Sequence, residues 1–143
     1  MLIGQFVSKV GEKNQASLPK KFREILGEDL IITKGFEKCL IVVSVDRWKT
    51  LLEGTEGRPF TNKNTRELQR FLLGNATDTG MDRKGRFVIP EYLREFANIN
   101  QDIVFAGIER FVEIWDKKAW DNHQVELSKN IESIAERLSD DNN

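Results

Sequence analysis

The sequence has one cysteine, one histidine, one tyrosine and three prolines in 143 residues, and no uninterrupted apolar run longer than the five residues Cys39–Val43. Each scarcity excludes something. A lone cysteine forms no intrachain disulfide, and Cys39 with His123 cannot supply the four ligands of a structural zinc site. Five apolar residues fall far short of the ~20 that span a bilayer as a helix, so no membrane partner is expected. Met1–Val7 lacks a basic segment and is broken by Gly4 and Gln5, unlike a secretory signal, and a cytoplasmic location is expected. A surplus of charge is also missing: 22 Lys and Arg face 23 Asp and Glu, for a net charge of −1. The chain as a whole therefore lacks the basic footprint usual in nucleic-acid binders.

What is present is a globular composition. Apolar residues make up 39% of the chain, and the glycines raise this to about 46%, an ordinary value for a folded domain. The charge balance hides a division, because Asp121–Asn143 carries a net −4 and the preceding 120 residues a net +3. Cys39 lies inside a β-like apolar run, which reads as a buried core residue and not as a nucleophile.

An internal repeat organises the sequence. Leu18-Pro19-Lys20-Lys21-Phe22-Arg23-Glu24-Ile25 aligns with Ile89-Pro90-Glu91-Tyr92-Leu93-Arg94-Glu95-Phe96 at an offset of 71. One inserted residue later, Gly35-Phe36-Glu37-Lys38 matches Gly107-Ile108-Glu109-Arg110, and Trp48 matches Trp120. In each copy a proline pre-sets the first position of a short helix, at Pro19 and Pro90, and Gly27 stops the first helix. Two β-rich runs separated by a glycine-started turn come next, Leu30–Ile32 then Leu40–Val43, and Ile103–Phe105 then Phe111–Trp115. The spacing predicts a helix over Asn62–Leu73 ended by Gly74, after a loop at Gly54–Pro59. It also predicts a long amphipathic helix from Lys117 to Leu138, with Asp116 as N-cap and Trp120, His123, Leu127, Ile131, Ile134 and Leu138 on one stripe.

A copy of about 45 residues buries too little apolar surface to fold alone, and its short strands leave open edges. The expected fold is therefore α+β and mainly β: an interleaved, swapped-hairpin (double-psi-like) β-barrel built from two internal repeats, with peripheral helices and a long C-terminal helix. The expected boundaries are a single pseudo-twofold domain over 1–138, with repeat 1 at about 5–53, a connecting loop and helix at 54–74, repeat 2 at about 75–120 and the C-terminal helix at 117–138. Residues 139–143 read as a disordered acidic tail.

Chemistry concentrates in Asp82-Arg83-Lys84-Gly85-Arg86, followed by Phe87-Val88-Ile89-Pro90. Gly85 permits positive φ in a tight turn, Asp82 can accept from turn amides, and three cations project from the loop. Arginine forks hold phosphate or read guanine edges, and lysine acts as a point charge. Spacing leaves two readings open: a DNA probe, or an Asp82–Arg86 pair with Arg83 and Lys84 as solvated charges.

On this turn, on Leu18–Arg23 and on Glu113-Ile114-Trp115 with Trp120, the whole layout over residues 1–138 resembles the MraZ family, and more distantly the AbrB-like swapped-hairpin DNA-binding proteins. The resemblance implies a non-enzymatic bacterial transcriptional regulator, associated with the nucleoid, that binds repeated boxes in double-stranded promoter DNA of the cell-division and cell-wall gene cluster. It further implies a homo-oligomer, in some members a ring. By position, Asp82 and Arg86 match the ends of the family's D-x-x-x-R turn, with Lys84 and Gly85 between them. The first copy departs from this pattern, with Gly11 and Gln15 at the ends and Asn14 in place of the glycine, leaving Lys13 as its cation. The implied DNA-binding residues are Arg83, Lys84, Arg86 and Lys13, with Asp82 and Gly85 shaping the turn.

The other conspicuous residues have plainer readings. Lys20, Lys21, Arg23 and Arg94 read first as solvated helix faces, with extension of a basic surface as the alternative, and Trp48, Trp115 and Trp120 as core anchors in preference to base-stacking residues. No catalytic motif, cofactor motif, metal spacing or small-molecule substrate site is evident. The alternative function is a protein-binding module, antitoxin-like or an adaptor, that uses the C-terminal helix.

Overall fold

The computed structural model describes residues 1–141. Its first half runs β1 (Leu2–Lys9), β2 (Gln15–Ser17), α1 (Lys20–Leu26), β3 (Asp29–Lys34) and β4 (Leu40–Ser44), then a 3-10 helical segment over Val45–Thr55. After α2 (Lys63–Leu72) come β5 (Thr77–Gly80), β6 (Arg86–Val88), α3 (Glu91–Phe96), β7 (Asp102–Glu109), β8 (Val112–Asp116) and α4 (Lys117–Asp141). The protein is α+β and dominated by antiparallel sheet.

The pairings cross between the copies. β1 of the first copy pairs with β7 of the second, and β5 of the second pairs with β3 of the first. The hairpins β3–β4 and β7–β8 meet where β4 pairs with β8, giving a six-stranded order β1-β7-β8-β4-β3-β5. Separately, β2 and β6 form a two-stranded ribbon with Gln15 opposite Val88 and Ser17 opposite Arg86.

The expected closed barrel does not form: the equivalent strands β1 and β5 occupy opposite ends of the six-stranded order and do not pair with each other. The ribbon, α1 and α3 cover the inner face instead. Leu30, Ile32, Leu40, Val42, Ile103, Phe105, Val112 and Ile114 project from the sheet into one core with Phe22, Phe87 and Leu93. A two-stranded ribbon is marginal in water by itself. Here Ala16 and Phe87 from its strands, with flanking Leu18 and Ile89, are buried in that core. Burying a phenylalanine such as Phe87 contributes about 2–3 kcal/mol. A second, smaller cluster on the outer face joins Ile31, Ile41 and Val43 to Trp48, Leu51 and Phe111.

Local signals account for most element ends. Pro19 and Pro90 stand just before their helices and not at the first helical position, with their carbonyls accepting from Phe22 and Arg23, and from Leu93 and Arg94. Gly27 ends α1 at φ +78°, its amide bonded to the Arg23 carbonyl. Asn62 caps α2 by accepting from the Thr65 amide at 3.1 Å. Asp116 caps α4 by accepting from Ala119 N at 3.3 Å, while its other oxygen accepts from Asn100 N at 3.1 Å.

α4 extends to Asp141, so the part of the expected disordered tail up to that residue is helical, and residues 142 and 143 lie outside the described residues. The first turns of α4 are anchored: Trp120 Nε1 donates to Gln5 Oε1 at 2.9 Å, and the Trp120 and His123 rings pack on Trp115 at 5.5 and 4.9 Å between centroids. No residue of α4 is fully buried, and Ile131 and Leu138 are half or more exposed. Among the described residues, no helix is long and apolar enough to cross a membrane.

Candidate nucleic-acid interface

The turn between β5 and β6 is built around one carboxylate. Asp82 Oδ1 accepts from the backbone amides of Lys84 and Arg86, both at 2.9 Å, and Oδ2 accepts from Arg86 Nε at 2.7 Å. The backbone closes the loop through Gly85 N to Asp82 O and Asp82 N to Arg86 O, each 3.0 Å. Gly85 has φ +77°, a conformation that costs an L side chain energy and glycine little. The Arg86 amide, then its guanidinium, holds the Asp82 carboxyl below the usual carboxylate range. Leu18 N donates to Gly85 O at 2.8 Å, which ties this second-copy turn to the first copy.

Of the two sequence readings of the turn, the structure shows the internal pair. The Asp82–Arg86 pair is present, but it shapes the loop without neutralising it. Arg83 and Lys84 remain exposed, and among the described residues their side chains have no hydrogen-bond or ion-pair partner. Both members of the pair are themselves largely exposed, so its Coulombic part contributes little to stability. Its role is geometric: it fixes the backbone from which the free cations project.

The first-copy turn is different. Gly11 N donates to Gln15 O at 2.7 Å, and Lys13 and Asn14 adopt left-handed φ of 59° and 60°. Lys13 is exposed, as its sequence position suggests, but it is not beside Arg83 and Lys84. Antiparallel pairing of β2 with β6 places the two turns at opposite ends of the ribbon, separated by about 10 Å of strand at ~3.4 Å per residue. Asn14 Oδ1 accepts from Arg94 Nη1, and Ile89 N donates to Asn14 O at 2.9 Å. Arg94 also donates from Nε to Ile99 O at 3.2 Å and from Nη2 to Asn100 O at 2.9 Å.

Sequence reasoning weighs one further candidate without placing it. Arg23, which reads first as an ordinary helix-face charge, lies against the second turn: a Cβ built on Gly85 would overlap its Cδ and stand 2.8 Å from its Nη1. The signal available is the repeat itself, because in an exchanged pair the helix of one copy packs beneath the turn of the other. Lys20, Arg23, Arg83 and Asp82 line a cleft of about 320 Å³ there, together with Glu24 and Glu28.

The other conspicuous residues are structural. Cys39 is fully buried, and burial followed by the neighbouring Glu113 pushes its thiol far above the ordinary range, which disfavours the nucleophilic thiolate. Trp115 is buried and Trp48 packs on the outer cluster, as core anchors do. A cleft of about 630 Å³ between α3 and α4, lined by Phe96, Trp115, His123, Glu95 and Glu126, shares no residue with the basic turn. Among the described residues, no three His, Cys, Asp or Glu side chains are grouped to hold a metal ion.

Two copies of one unit, exchanging strands and presenting an acid-braced basic turn, define a class: duplicated α+β proteins with an exposed cationic loop. Comparison with known proteins makes the assignment specific. The family described as "MraZ protein, putative antitoxin-like" matches residues 1–71 and again residues 72–142. The "Transcriptional regulator MraZ" of Caldanaerobacter subterraneus subsp. tengcongensis is 40% identical over 142 residues, covering 99% of both chains. Proteins of the same name from Thermoanaerobacter sp. strain X514 and Clostridium tetani are each 39% identical, covering 98% of both chains. The chain belongs to the MraZ family, and these relatives are named as transcriptional regulators and not as enzymes.

Proposed function

We propose that the protein is a sequence-selective DNA-binding transcriptional regulator that acts as a homo-oligomer on repeated boxes in double-stranded promoter DNA. Its targets are promoters of the cell-division and cell-wall gene cluster, its own gene included, and it works in the cytoplasm at the nucleoid. The observation that carries this reading is the rigid Asp82–Arg86 turn with Arg83 and Lys84 unpaired on it. Arg86 adds the guanidinium nitrogens that Asp82 leaves free. Lys13, at the other end of the ribbon, adds a weaker contact from the first copy. The crossing of strands between copies supports a fold of the swapped-hairpin kind.

One such turn neutralises only a few phosphates, and affinity at physiological salt is weak when so few counterions are released. Several chains presenting turns to successive boxes recover affinity through effective concentration. The uncovered stripe of α4, with Ile131 and Leu138 half or more exposed, supports self-association. The test is titration of the DNA upstream of the protein's own gene at two salt concentrations, beside scrambled DNA and the Arg83/Lys84/Arg86 triple alanine variant. Specific, salt-sensitive binding that the variant loses is the expected outcome. Absence of binding by folded wild type overturns the proposal.

The same α4 stripe favours the second reading, a protein-binding module. Removing residues 128–143 separates the two, because it keeps Trp120 and His123 on Trp115. A partner-binding module loses its activity on this truncation, and the basic turn keeps its intrinsic contact with a single box.

A further inference from the structure

Arg23 and Arg94 are equivalent residues of the two copies, yet their guanidinium groups are treated in opposite ways. Arg94 donates to Asn14 Oδ1, Ile99 O and Asn100 O, so its nitrogens are consumed within the protein. Arg23 is only partly exposed, packs against Gly85, and among the described residues its side chain makes no hydrogen bond or ion pair. Its guanidinium nitrogens all reach solvent, so the five donors stay available to a ligand. One of the three Arg94 bonds traces to a single position. Asn14 supplies an acceptor to Arg94, whereas its counterpart Gly85 offers no side chain and lets Arg23 lie directly against the loop.

We infer that Arg23 is a phosphate-binding residue, and that the DNA-contacting site is a composite in which α1 of the first copy supplies Arg23 and Lys20 beneath the Arg83–Lys84 turn of the second. This rests on the DNA-binding reading above and extends it to a residue outside the turn. The ligand class is a nucleic-acid backbone phosphate and not a base edge. Arg23 is recessed under the loop and so cannot enter a groove, but it can offer a planar fork to an oxygen held in the cleft it shares with Lys20 and Arg83. Asp82 is already engaged by Arg86 and two amides, so it does not quench Arg23. Glu24 and Glu28 line the same cleft and confine an anion to its Arg23–Arg83 side. The first-copy turn lacks the corresponding site because Asn14, Ile99 and Asn100 together engage Arg94.

The test compares wild type, Arg23→Gln and Arg23→Lys in titrations of a promoter duplex over a salt series, with thermal melting of each protein. Glutamine keeps much of the stem against Gly85 and removes the charge. Arg23→Gln is expected to melt close to wild type and to bind several-fold more weakly, with the slope of log K against log salt reduced by about one per engaged chain. Arg23→Lys recovers the slope but not the full affinity, since it keeps the charge and loses the fork. Wild-type slope and affinity in folded Arg23→Gln overturn the inference while leaving the regulator reading intact. Failure of Arg23→Gln to fold also overturns it, because Arg23 is then a structural residue. If wild type itself retains no promoter DNA, the regulator reading fails first and the inference with it.

Discussion

The Asp82 carboxylate accepts from two amides and a guanidinium nitrogen, and all three favour its ionised form. Its folded-state pKa therefore lies below the unfolded value of about 4. The resulting stabilisation is complete above the unfolded pKa and is lost as pH falls through the folded one. Melting temperatures of wild type and Asp82→Asn should accordingly differ at pH 6 and converge toward pH 3; a gap that stays constant would contradict the assigned role. Gly85→Ala meets two penalties, a positive φ and the Arg23 side chain. It should cost about 1–3 kcal/mol in urea unfolding and weaken DNA retention as well. Asp82 and Gly85 were legible in the sequence because turn chemistry is local. The contact of Arg23 with that turn was not, since Gly85 lies 62 positions away and becomes adjacent only through strand exchange.

At the scale of elements, equivalent segments diverge because the residues on their C-terminal sides differ. After Trp48 the chain meets Gly54, Gly57 and Pro59 and forms only a 3-10 segment to Thr55. From Trp120 onward it contains neither glycine nor proline, and α4 continues unbroken to Asp141. The helix is held chiefly at its start, so Trp120→Ala should destabilise the protein by about 2 kcal/mol, less than truncating a fully buried tryptophan would. Deleting residues 128–143 should leave the urea midpoint nearly unchanged while shifting the mass measured by light scattering toward smaller assemblies. Retention of wild-type mass would show that the exposed stripe is not a self-association surface.

At the scale of the whole molecule, exchange of strands makes the copies interdependent. Among the described residues, β1 has its only ladder with β7, and β5 its only ladder with β3. A fragment of residues 1–74 alone therefore leaves β1 and β2 without partners and should be unfolded or dimeric, as judged by circular dichroism with light scattering. A folded monomeric fragment would refute the interdependence. The open sheet also marks how far pattern reasoning reaches. Alternating residues such as Leu30 and Ile32, or Ile103 and Phe105, identify strands with one core face. Nothing in that alternation states whether the outermost strands meet.

The sequence by itself determined the duplication, the hairpins, the helix ends at Gly27, Asn62 and Asp116, and the basic turn, because each depends on residues a few positions apart. Only the tertiary structure decided that the sheet stays open, that Lys13 sits at the far end of the ribbon, and that Arg94 is engaged by Asn14 while Arg23 packs against Gly85. Those outcomes depend on which residues of one copy touch which residues of the other. Packing fixes those contacts, and local pattern does not.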